Sequence, residues 1–119
     1  MSQISTQYVS VVERGDVRVV TITEKIVLND KVIEGIAKEL NALLEDGRNR
    51  FIIDFHEIEF LSSLMLGKFM AFKRAVQARN GSLRLCGMNN EIFELFVLTN
   101  LVKFFDVRRS LEEAITSPF

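Results

Sequence analysis

Few side chains in this sequence suit covalent chemistry, so each can be weighed in turn. His56 is the only histidine and Cys86 the only cysteine. A lone histidine between a strand and a helix serves as a turn or surface residue unless a partner makes it a base. A lone cysteine closing an apolar run acts as a small core residue and forms no internal disulfide. Asp54, Glu57 and Glu59 stand close together, and a carboxylate set of this kind can hold Mg²⁺. A receiver domain that takes phosphate on aspartate also needs an acidic pair after its first strand and a lysine after its last. Those places read Glu13-Arg14-Gly15 and Arg108-Arg109, so solvated loop charges are the better account. Neither GxGxxG nor GxxxxGK[ST] occurs, and Gly87 stands alone between a strand and a helix. The glycine-rich phosphate cradles are therefore missing. No catalytic set, metal or cofactor is expected.

Two hydroxyls remain of interest. Ser62 and Ser63 stand directly before an apolar helical pattern that opens at Leu64. The simplest use of one of them is as an N-cap, accepting a backbone N–H at the helix start.

The elements that position these residues follow from hydrophobic periodicity and turn chemistry. Tyr8 to Glu13 and Val17 to Thr23 are short β-branched runs joined by Arg14-Gly15-Asp16, which predicts a hairpin. Asn29 or Asp30 caps a helix whose stripe is Ile33, Ile36, Leu40, Leu43 and Leu44, and Gly47 closes it. Phe51-Ile52-Ile53 reads as a strand covered on both faces. A second helix runs from Leu64 to Arg79 and closes at Asn80-Gly81. Leu83 to Cys86 is a fourth strand, Asn89 or Asn90 caps a third helix to about Asn100, and Phe104 to Val107 is a fifth strand. Ser110, with Glu113 three residues on, opens a last helix through a capping box. The order is β-β-α-β-α-β-α-β-α. It predicts an α/β fold in which four helices cover a mixed, mostly parallel sheet with the hairpin at its edge.

Within the second helix, Met65, Phe69, Phe72 and Val76 share a narrow arc and form the core face. Leu66 and Met70 fall roughly 100–140° from Met65, and Leu64 about 100° off on the other side. The first two turns are thus apolar nearly all round, more than one buried stripe requires. Apolar excess beside exposed serines points to a partner surface. Ser62, Leu64, Leu66 and Met70 are its expected contact residues.

Composition limits the alternatives. The 119 residues are 48% apolar and 26% charged with one proline, which fits a single domain over residues 1–119, domains being typically about 100–150 residues long. Fifteen basic and sixteen acidic side chains give a net charge of -1, without the basic patch that nucleic-acid binding rests on. Arg48 with Arg50, Lys73 with Arg74, and Arg108 with Arg109 are short pairs suited to solvated faces. The start, MSQISTQYVS, lacks the charged and apolar regions of a signal peptide. No apolar run approaches the roughly 18–20 residues of a membrane span. A cytoplasmic domain is expected.

The element order and the motif Ile-Ile-Asp-x-x-x-Ile-x-Phe-x-Ser-Ser-x-x-x-Gly, residues 52–67, resemble a STAS domain. That family includes bacterial anti-sigma factor antagonists and the cytoplasmic domain of sulfate transporters. Its usual signature after the third strand is Asp-Ser-Ser/Thr-Gly-Leu-Gly. With Phe60 and Gly67 as anchors, Ser62 takes the place of the Asp, and Ser63 that of the Ser phosphorylated in the antagonists. Leu64 and Met65 replace the next two residues, while Leu66 and Gly67 match. The resemblance implies a regulatory domain whose partner is an anti-sigma factor, often a serine kinase with an ATPase-like fold. Phosphorylation of Ser63 would weaken that contact, with helix 64–79 and loop 55–63 as the docking surface. A phosphorylation-independent STAS scaffold, as in stress-signalling or lipid-transport assemblies, is the alternative within the fold. A small nucleotide-binding or hydrolysing domain using Asp54 and the helix start is the alternative of another class. Phosphate uptake on Ser63, binding without uptake, and hydrolysis lost in Asp54→Asn would separate the three.

Overall fold

The computed structural model describes residues 3–119. The two residues before them, part of the domain expected over 1–119, lie outside the described residues. Eight strands and four α-helices follow one another as β1 (Gln3–Ser5), β2 (Val9–Arg14), β3 (Val17–Ile22), β4 (Ile26–Val27), α1 (Asp30–Ala42), β5 (Arg50–Asp54), β6 (Phe60–Leu61), α2 (Ser63–Gln77), β7 (Ser82–Cys86), α3 (Asn90–Leu98), β8 (Asp106–Arg108) and α4 (Leu111–Thr116). A 3₁₀ turn, Leu101–Lys103, precedes β8. The main sheet has the order β1-β2-β3-β5-β7-β8. Its first two pairings are antiparallel and the rest parallel.

The expected α/β architecture is present, with corrections of detail. The hairpin β2–β3 is not at the edge, because β1 pairs outside β2 in the register Ile4↔Val11. Strand β1 has no apolar alternation and is exposed throughout, so a pattern search had nothing to find. The last strand sits at 106–108 rather than 104–107. Phe104 caps the 3₁₀ turn instead, and Asn100 enters that turn at φ +64°, a conformation Asn tolerates better than most residues.

The sheet has a buried layer on each face. Val9, Val11, Val20, Ile22, Phe51, Ile53, Leu83 and Leu85 pack with Ile33, Ile36 and Leu40 of α1, Met65, Phe69, Phe72 and Val76 of α2, and Ile92 and Phe96 of α3. On the other face Val17, Val19, Ile52 and Cys86 pack against Ala114 of α4. Alternate residues of each strand point to opposite faces. Strand β5 therefore needs apolar side chains on both, which explains its unbroken Phe51-Ile52-Ile53.

Two buried arginines fasten the margins. Arg18 binds Glu13 and Asp46 at 2.6 Å each and the Leu43 carbonyl at 3.1 Å. Arg84 binds Asp106 at 3.0 Å and donates to the carbonyls of Ala114, Ser117 and Pro118. Its guanidinium also lies 3.9 Å from the centre of the Phe119 ring. Hydrogen bonding by Arg18 holds the Asp46 carboxyl below its usual range. For Asp106 burial works in the other direction, but Arg108 and Arg84 outweigh it and lower the carboxyl too.

Candidate functional site

The segment from Asp54 to Gly67 is built from three local devices. The first is a turn after β5. Asp54 is buried, and its carboxylate accepts the backbone N–H of His56 and faces His56 Nδ1, both at 3.0 Å. A side chain at residue 87 would be blocked here, since its Cβ would come within 2.5 Å of Asp54 Oδ1, and Gly87 has φ +73°. Asp54 is therefore a turn-forming residue and His56 its exposed partner. Among the described residues no group of three or more His, Cys, Asp or Glu is arranged to hold a metal ion. Cys86 neighbours this turn at the end of β7, where burial, aided by the Asp54 charge, pushes its thiol up to about 12. It stays protonated, as a core residue should.

The second device is a two-stranded parallel ribbon. Strands β4 and β6 pair in the register Ile26↔Phe60 and Val27↔Leu61. The Lys25 carbonyl accepts the N–H groups of Glu59 and Phe60, and the Val27 carbonyl accepts that of Ser62. Val27 is fully buried, whereas Ile26 and Phe60 are half exposed and Leu28 equally so. Phe60 lies within the expected docking loop 55–63, part of which is strand β6, whereas Ile26 and Leu28 are surface residues that sequence reading does not reveal. The signal was slight: Ile26-Val27-Leu28 is a short apolar run just outside a strand, and only pairing reveals which side chains it exposes.

The third device is the start of α2. Ser62 is the N-cap, with its hydroxyl accepting the Leu64 N–H at 3.1 Å. Ser63 is the first helical residue and is exposed. Leu64 is 64% exposed. Gly67, one turn on from Ser63 and Leu64, is also exposed, and a Cβ there would meet nothing within 4 Å. These positions lie three and four residues apart on one helix side. Ser63, Leu64 and Gly67 thus form an open face beside the apolar ribbon.

Two of the expected contact residues lie elsewhere. Leu66 is only 4% exposed and belongs to the main core. Met70 is half-buried and packs against that core. The helical wheel placed both off the Met65 arc, which holds for a helix lying on a flat sheet. Here α1 packs beside α2, so the buried arc is wider than one stripe.

Comparison with known proteins fits this layout. The STAS domain family model matches residues 8–114. The chain belongs to the STAS domain family. A protein of Bordetella bronchiseptica designated anti-sigma factor antagonist BtrV is 26% identical over 88 residues, covering 74% of this chain and 76% of that one. An anti-sigma factor antagonist from Mycobacterium paratuberculosis superimposes with a TM-score of 0.80 at 21% identity, over 91% of this STAS chain and 90% of the other. The Bacillus cell fate determinant SpoIIAA in its phosphorylated form gives a TM-score of 0.66 at 18% identity, over 90% and 96% of the two chains. This STAS domain thus has the fold of anti-sigma factor antagonists. No helix among the described residues is long and apolar enough to cross a membrane.

Proposed function

We infer that this STAS domain is a cytoplasmic regulator of the antagonist type, acting by protein–protein contact and without chemistry of its own. It binds an anti-sigma factor with an ATPase-like serine kinase fold, and phosphorylation of Ser63 weakens that binding. The observation that carries this reading is the division of labour between the two serines. Ser62 is occupied as the cap, while Ser63 is exposed in the first turn with Leu64 and Gly67 beside it. Similarity to BtrV and to phosphorylated SpoIIAA supports the functional class.

The physical consequences of the modification follow from its place. Phosphate adds about -1.5 to -2 charge at pH 7. At the start of α2, a helix of 15 residues, unpaired N–H groups and the dipole accommodate an anion. The fold therefore survives. A partner covering Leu64, Phe60 and Ile26 would strip water from that anion against apolar side chains, which costs affinity.

The deciding experiment is calorimetry of the partner kinase with unmodified and Ser63-phosphorylated protein. Weaker binding of the phosphorylated form, with amide NMR shifts confined mainly to residues 55–70, is the expected result. Equal affinities would reject the switch. A phosphorylation-independent scaffold is favoured by one observation, that Ser62 and Met65 stand where the family signature has Asp and Gly. Tight binding with no phosphate uptake would establish it.

A further inference from the structure

A second surface adjoins the first. Strand β6 and helix α3 enclose a groove of about 220 Å³ lined by Glu59, Phe60, Leu61, Glu91, Ile92 and Leu95. Its floor is apolar, since Ile92 is buried and Leu61 and Leu95 are partly buried against the core. Its walls are tied together by Asn89, the N-cap of α3. The Asn89 side chain accepts the Ile92 N–H at 2.8 Å and donates to the Glu59 carbonyl at 3.1 Å. The groove is thus preformed rather than assembled on contact.

Its charge has one sign. Residues 55–67 and 87–102, the two segments that converge here, contain Glu57, Glu59, Glu91 and Glu94 and neither Lys nor Arg. The chain as a whole carries a net charge of only -1. Lys25 is a near cation along the backbone, bonding Glu59 and Phe60 through its carbonyl, but it does not line the groove. An apolar slot with a carboxylate on each wall complements an apolar side chain flanked by cations.

We propose that this groove docks an amphipathic segment of the partner protein, one apolar anchor residue flanked by Lys or Arg. The inference rests on the reading of the protein as a docking module and adds the chemistry of the partner's segment. The groove's volume admits one or two aliphatic side chains, so the anchor supplies fit while Glu59 and Glu91 supply orientation and a faster encounter. Ser63 is not among the lining residues.

The test uses the ¹⁵N-labelled full chain and two synthetic amphipathic peptides of about four helical turns. They share one leucine pattern and differ only in having all-Lys or all-Glu polar positions. The Lys peptide should shift amides of residues 59–61 and 91–95. Its affinity should fall as salt rises, because the Debye length drops from about 10 Å at 0.1 M to about 3 Å at 1 M. Glu59→Lys with Glu91→Lys should lower that affinity roughly tenfold or more. If this pair perturbs folding, Glu59→Gln with Glu91→Gln should still weaken it. Equal binding of both peptides, shifts centred elsewhere, or unchanged affinity in a folded double variant would overturn the proposal. No kinase is involved, so failure of the Ser63 switch would leave this result standing, and the reverse also holds.

Discussion

The Ser62 hydroxyl holds the backbone N–H of Leu64 at 3.1 Å while the Leu64 side chain projects 64% exposed. One hydrogen bond thereby fixes the helix start and presents an apolar side chain to solvent. Ser63, between them, has neither task.

Substitution of the two serines should therefore separate stability from regulation. Ser62→Ala loses the cap and should cost about 1 kcal/mol. Ser63→Ala should stay within about 0.5 kcal/mol, as exposed substitutions do. Denaturant unfolding gives both values. With the partner kinase and ATP, mass spectrometry should find phosphate on Ser63 and none in Ser63→Ala. Full labelling of Ser63→Ala would show that the hydroxyl lies elsewhere.

Leu64 and Leu66 should respond oppositely to charge. Leu64→Asp leaves the new carboxylate in water and should change stability by no more than about 0.5 kcal/mol, while weakening partner binding. Leu66→Asp buries a carboxylate in the core and should cost more than about 3 kcal/mol. Phe69→Ala, in the same core, should cost about 3–5 kcal/mol through a cavity. Thermal unfolding of the three variants orders them. A stable Leu66→Asp would mean that the start of α2 is turned differently.

Gly67 is a helix-interior glycine with no steric reason for it in the free chain. Gly67→Ala should stabilise the domain by about 0.5–1 kcal/mol, the usual difference in helix propensity. The same methyl should weaken the partner contact if Gly67 leaves room for it. A gain in stability with unchanged affinity would remove Gly67 from the docking face.

Acid should act through the arginine-held carboxylates. Asp106 and Asp46 have folded-state values below the ordinary 3.8. Groups of this kind contribute stability that is present above their unfolded value and lost as pH falls through the folded one. The stability difference between the native protein and Asp106→Asn should thus be full near about pH 6 and close below about pH 4. Unfolding curves across that range provide the check. A difference that widened in acid would contradict the assignment.

Local sequence was sufficient wherever one residue's chemistry decides a structure. Asn29, Asn89 and Ser110 cap helices as their types suggest, and the apolar Phe51-Ile52-Ile53 is buried on both faces as its lack of alternation implies. The seryl pair before α2 was legible for the same reason, since caps are short-range. Burial of Leu66, exposure of Ile26 and Leu28, and the groove against α3 were not. Each depends on which distant segment arrives at that spot: α1 beside α2, β4 beside β6, and Asn89 reaching the Glu59 carbonyl. Periodicity reports which side of a helix is apolar, but only tertiary packing decides how wide an arc is covered and which apolar residues remain open to a partner.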